Sequence, residues 1–106
     1  MNQALNDEFT AKREGLEALC RKYGVAELYL FGSATASGFR PDKSDLDFLV
    51  TFRTEPEASL ADRYLGLAEE LETLFDRPVD LITERAIRNP YFRHSVETSR
   101  VSVYAA

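Results

Sequence analysis

Three short apolar runs, with helical periodicity filling the gaps around them, constrain this chain more tightly than any other feature. Residues 27–31 (Glu-Leu-Tyr-Leu-Phe), 46–52 (Leu-Asp-Phe-Leu-Val-Thr-Phe) and 78–83 (Pro-Val-Asp-Leu-Ile-Thr) are each short and apolar, the pattern of strands. Ahead of the first, Leu5, Phe9, Leu16, Leu19, Cys20 and Tyr23 recur at helical spacing. They predict one amphipathic helix over residues 3–23, with Gly24 as its stop. Leu60, Tyr64, Leu67, Leu71, Leu74 and Phe75 predict a second helix, capped near Ser59. Asn89-Pro90 reads as an N-cap and first helical position for a short helix bearing Phe92 and Val96. Residues 101–104 read as a last, edge strand. Residues 34–44, with Gly38 and Pro41, read as a short helical turn followed by a loop. The order helix, strand, strand, helix, strand, helix, strand is that of a compact α/β (α+β) layer.

At 106 residues the chain is one domain's worth, residues 1–106, with room for one core and none for a second. Thirteen Lys and Arg against eighteen Asp and Glu give a net charge of −5. That balance disfavours loose, sequence-independent binding to nucleic acid but leaves room for a local basic pocket around a phosphate. The single cysteine, Cys20, rules out an intramolecular disulfide, and it reads as a core-facing residue of the first helix. The single histidine, His94, sits in a polar stretch and reads as solvated. Together they exclude sites built on several histidines or thiolates, so a metal here would be held by oxygen, which favours Mg²⁺, Mn²⁺ or Ca²⁺. The N-terminus lacks the basic and apolar segments of a leader, and no apolar stretch approaches the ~20 residues of a membrane span. The cytoplasm is the default expectation.

The stretch that carries chemistry runs from Gly32 to Asp47. Asp45 and Asp47 stand at i and i+2 where an apolar strand starts. Period two puts them on one face, roughly 6–7 Å apart, while Leu46 and Phe48 point into the core. A divalent cation between two such carboxylates relieves their repulsion. Asp80 repeats the pattern inside Val79-Asp80-Leu81-Ile82, where an ionised carboxylate is costly to bury unless paired or metal-bound. Gly32-Ser33 follows a strand. A glycine there lets backbone amides approach a phosphate, and a helix opened by Ser33 would favour an anion. Arg40 and Lys43 would add positive charge. Taken singly, each piece has a plain alternative: a turn, a strand cap, a surface acid on an edge strand, two solvated loop charges. Taken together, they read as a nucleotide site with carboxylate-held metal. Tyr91-Phe92 reads as core or interface rather than a base-stacking pair.

Gly32-Ser33, then residues 34–43, then Ser44-Asp45-Leu46-Asp47 ahead of an apolar strand resembles the signature of the polymerase-β-like nucleotidyltransferase superfamily. The short length and the strand at 78–83 resemble the minimal nucleotidyltransferase (MNT) family within it. The resemblance covers roughly residues 25–104. It implies a small mixed β-sheet flanked by helices, two Mg²⁺ ions, and a nucleoside triphosphate, usually ATP. By the resemblance Asp45 and Asp47 bind both metals, and Asp80 binds the second and helps activate an acceptor hydroxyl. Gly32 and Ser33 hold the β- and γ-phosphates, with Arg40, Lys43 and Ser44 beside them. Pyrophosphate leaves and the nucleoside monophosphate passes to the acceptor. The resemblance further implies an antitoxin partnered with an all-helical HEPN ribonuclease toxin, AMP being transferred to a tyrosine of that toxin. A chain this short would take its acceptor in trans. Two other readings stand beside it: a catalytically weak or inactive module that neutralises a toxin by binding, and a nucleotidyltransferase acting on a small molecule. One departure bears on the choice. Relatives commonly carry arginine before glycine a few residues after Gly-Ser, and here Ser37 precedes Gly38.

Overall fold

In the computed structural model, which describes residues 1–35, 45–54 and 59–106, the apolar runs form strands and the periodic stretches form helices. The chain passes through α1 (Gln3–Ala11), α2 (Arg13–Lys22), β1 (Val25–Phe31), a 3₁₀ turn (Gly32–Thr35), β2 (Leu46–Phe52), α3 (Leu60–Phe75), β3 (Val79–Thr83), a second 3₁₀ turn (Glu84–Ala86), α4 (Pro90–Ser99) and β4 (Val101–Ala105). The strands form one sheet in the order β3-β2-β1-β4. β1 is antiparallel to both β2 and β4, and β2 is parallel to β3. This is the small mixed sheet flanked by helices that the family resemblance implies, built on the α/β order that the sequence pattern predicts.

The helix predicted over residues 3–23 is two helices. The backbone leaves the helical region at Lys12 (φ −101°, ψ 12°). The Thr10 hydroxyl donates back to the Asn6 carbonyl, a competing bond that bends helices. The turn at residues 11–13 carries no buried side chain to hold it straight. The caps lie where expected: the Ser59 hydroxyl accepts from the Asp62 amide and Asn89 Oδ1 from the Tyr91 amide.

Period two divides the sheet into two faces. Leu28, Leu30, Leu46, Phe48, Val50 and Leu81 point to one face, where they meet Leu5 and Phe9 of α1, Leu16 and Cys20 of α2, and Leu67, Leu71 and Phe75 of α3 in the main core. Phe9, Phe48 and Phe75 stack at its centre, with ring centroids 4.6–6.2 Å apart. Tyr23 lies across α3 at Gly66, where any side chain would collide with its ring, and donates its hydroxyl to Glu70. On the other face α4 seats its Val96 in a smaller cluster with Phe31, Leu49 and Ile87. α4 begins beside the β3 edge, where Arg93 reaches Glu84 and the Ile87 carbonyl, and ends beside β1. Among the described residues no helix is long and apolar enough to cross a membrane.

Candidate active site

The site lies on the α4 face of the sheet, at the end where β1 finishes and β2 and β3 begin. Strand register assembles it. Phe31, the last residue of β1, pairs with Asp47, and Asp47 pairs with Asp80 across the parallel β2–β3 ladder. Neighbouring strands lie about 4.8 Å apart, and partners in register share a face, so Asp47 and Asp80 stand side by side. Asp45, just ahead of β2, falls on the same face by period two. Leu46 and Phe48 are fully buried on the opposite face, as predicted.

The three carboxylates differ in environment. Asp47 is half-buried, whereas Asp45 and Asp80 are exposed. Of the two readings open for Asp80, the exposed one holds: β3 is an edge strand, and its outer side leaves the carboxylate in water. The burial falls on Asp47 instead. It pushes that carboxyl above the usual carboxylate range, with the charges of Asp80 and then Asp45 acting in the same direction. Among the described residues none of the three makes an ion pair or hydrogen bond that would offset this. Oxygen donors in mutual repulsion at a half-buried point fit a hard divalent cation. The side chains do not, however, close round a common centre: no group of three or more His, Cys, Asp or Glu side chains able to hold a metal forms among the described residues.

Gly32 completes the arrangement. Its φ of +73° lies in the left-handed region, which favours glycine. A β-carbon added there would stand 2.9 Å from Asp47 Oδ2, so a residue with a side chain would press against the carboxylate. Gly32 opens a 3₁₀ turn over Gly32–Thr35. Both polar groups of Gly32 are used within the chain. Its N–H donates to Ser99 Oγ at 3.1 Å, and its carbonyl accepts from Thr35 Oγ1 at 2.9 Å. Ser33 is exposed and its hydroxyl makes no bond to a described residue. Arg40, Lys43 and Ser44, together with Ser37 and Gly38, lie outside the described residues.

Ser99 is the residue at this site that sequence reasoning did not single out. It lies 67 positions from Gly32, and a serine in the last turn of a helix carries no local signal of such a contact. Of the pair Tyr91-Phe92, Tyr91 is 86% exposed and so is no part of the core. Phe92 packs edge-on against Phe31 at 6.1 Å. His94 is exposed and Cys20 fully buried, as expected. Burial pushes the Cys20 thiol up to about 12, which removes it from thiolate chemistry.

The family model of the nucleotidyltransferase domain matches residues 12–103. A protein of Methanocaldococcus jannaschii, provisionally named a protein adenylyltransferase, is 38% identical over 91 residues, which is 86% of this chain and 89% of that one. A solved structure provisionally described as a minimal nucleotidyltransferase is 32% identical, with a TM-score of 0.69, covering 87% of this chain and 89% of its own. A chain from a complex of a tri-AMPylated Shewanella oneidensis HEPN toxin with an MNT antitoxin superposes with a TM-score of 0.61. The match covers 92% of this chain and 73% of that one. At 20% identity that likeness speaks for the fold alone.

Proposed function

The chain belongs to the nucleotidyltransferase domain family, and from that premise we propose that it transfers AMP from Mg²⁺-bound ATP to a hydroxyl of a partner protein, the partner being a HEPN-type toxin. One observation carries the reading: a half-buried Asp47 set beside Asp80 by strand register, with a left-handed glycine packed on its carboxylate. Such a site has negative charge in want of a cation and a turn shaped for a phosphate.

Asp45, Asp47 and Asp80 would hold the Mg²⁺ ions. Bound there, the metal would neutralise the phosphates and the charge that develops on them during transfer. Every other part falls to the chain itself. Asp47 anchors the nucleotide end of the site because it is the carboxylate that touches the Gly32 turn. Ser33 donates its hydroxyl to the β- or γ-phosphate, and Arg40, Lys43 and Ser44 contribute beside it. Asp80, open to solvent on the edge strand, faces the acceptor and takes the proton of the attacking hydroxyl. That hydroxyl oxygen bonds to the α-phosphorus, the bond from the α-phosphorus to the bridging oxygen breaks, and pyrophosphate leaves. The acceptor's approach is from outside the β3 edge, which suits an acceptor brought by another protein.

A second reading has its own observation. Ser37 stands before Gly38 where the family resemblance leads one to expect arginine, and a missing cation beside the triphosphate favours a module that masks a toxin by binding and turns over slowly or not at all. Calorimetric titration with ATP, with and without Mg²⁺, beside the double variant Asp45→Asn/Asp47→Asn, tests the enzyme reading. Binding that requires Mg²⁺ and disappears in the variant is expected. Its absence from the unaltered chain sinks the enzyme reading and leaves the masking module. Intact mass of a helical partner after incubation with ATP then tests the acceptor.

A further inference from the structure

We propose that Ser99, in the last turn of α4, is a positioning residue for the phosphate-binding turn: its hydroxyl holds the Gly32 amide and so sets Ser33 toward the triphosphate. The inference rests on the nucleotidyltransferase reading above and adds a residue to it.

A serine hydroxyl has one proton and two lone pairs. Ser99 Oγ lies 2.9 Å from the Ser95 carbonyl, so its proton is directed back into α4. A lone pair is then left for the Gly32 N–H, which donates to it at 3.1 Å. The same glycine is fixed in two other ways. Its carbonyl accepts from Thr35 Oγ1, and its α-carbon sits against the Asp47 carboxylate with no room for a methyl group. Amide, carbonyl and α-carbon are each held by a different element. A residue so held does not contact the ligand through its own polar groups; it sets the direction of the next residue in the chain. That residue is Ser33, which is exposed and has no side-chain bond to a described residue. Ser99 supplies the one anchor of the three that comes from α4. Phe92, two turns earlier on the same helix, packs against Phe31, the residue just before Gly32. The placement of α4 and the aim of the turn are therefore linked at both ends of that contact.

The test uses Ser99→Ala and Ser99→Thr in the full chain, with two measurements. NMR exchange of the Gly32 amide in the free protein reports the bond itself, and calorimetric titration with Mg²⁺-ATP reports the consequence. Ser99→Ala is expected to speed Gly32 exchange and to raise the Kd for Mg²⁺-ATP by about 3- to 10-fold, the range for one lost hydrogen bond. Ser99→Thr, which keeps the hydroxyl, is expected to restore both. Where Ser99→Ala does not fold, the isosteric pair Ser99→Thr and Ser99→Val decides in its place. Unchanged Gly32 exchange overturns the proposal, as does unchanged affinity with a freed amide. Tighter binding by Ser99→Ala also overturns it, because the hydroxyl would then be competing with the phosphate for that amide. If the unaltered chain binds no Mg²⁺-ATP, the nucleotidyltransferase reading fails and the positioning role falls with it. If it binds and Ser99→Ala binds equally well, only the positioning role is lost.

Discussion

The two faces of one sheet do different work in this molecule. Towards α1, α2 and α3, β2 presents Leu46, Phe48 and Val50, apolar and almost wholly buried, and then the partly buried Phe52. Towards α4, the same strand presents Asp47 and then Leu49, and beside it β3 presents Asp80 and then Ile82. One face is closed by three helices; the other is crossed by one, which seats its Val96 on Phe31, Leu49 and Ile87 and leaves the strand starts uncovered. Stability and chemistry thus alternate residue by residue along a single strand. The neighbours Asp47 and Phe48 should therefore fail in different assays.

The largest effect expected is on the closed face. Phe48→Ala removes a fully buried ring that stacks with Phe9 and Phe75, a loss of about 3–5 kcal/mol. Leu49→Ala, one position on and facing α4, is expected to cost less, towards ~2 kcal/mol, because the cluster around it is small. Urea denaturation of both compares the faces directly. Equal losses would mean that α4 is held as firmly as the main core.

Next comes Asp47→Asn. The expected loss of transfer activity is ~10²-fold or more, equivalent to roughly 2.7 kcal/mol of barrier. The melting temperature in chelator is expected to stay level or rise, since the change removes a half-buried charge that makes no ion pair among the described residues. A drop in melting temperature as large as that of Phe48→Ala would break the division between the faces. On the α4 side the Asn89 cap gives a smaller, purely structural handle. Asn89→Ala removes the acceptor for the Tyr91 amide and is expected to cost about 1 kcal/mol by urea denaturation. That would be visible against a total stability of about 5–15 kcal/mol.

Much of this was legible in the sequence because it is periodic. Alternation of acid and apolar residue put Asp45 and Asp47 on the face opposite Leu46 and Phe48, and the left-handed glycine stands where a strand run stops at Gly-Ser. The parts that were not legible depend on contacts distant in the chain. Whether Asp80 would be buried turned on whether β3 lies inside the sheet or at its edge, and nothing in residues 78–83 states that. The bond from Gly32 to Ser99 spans 67 positions. The break at Lys12 was hidden for another reason. Phe9 and Leu16 are seven residues apart and stay in phase on one helical stripe, so the apolar pattern reads straight through it.

The smallest effect expected is also the one that separates the faces by sign. Asp47, on the open face, has its carboxyl raised above the usual value of 3.8 by burial, then by Asp80 and Asp45. The folded chain then holds this proton more tightly than the unfolded one. Its contribution to stability is lost as pH rises from about the ordinary value through the raised one. In chelator, Asp47→Asn should gain on the unaltered chain over that window and hold level above it. Glu8, on α1 beneath the closed face, behaves in the opposite way. Burial alone would raise its carboxyl, but hydrogen bonds and charge from Lys12 and Arg77 (2.7 and 3.0 Å) hold it below 4.5. Its contribution is present above that value and lost as pH falls through the lowered one. Glu8→Gln should therefore lose stability relative to the unaltered chain at neutral pH and approach it in acid. Thermal melts of the three proteins across the acid range read both slopes. If the two variants drift in the same direction, the Asp47 carboxylate is not held at a cost and has no electrostatic reason to recruit a cation.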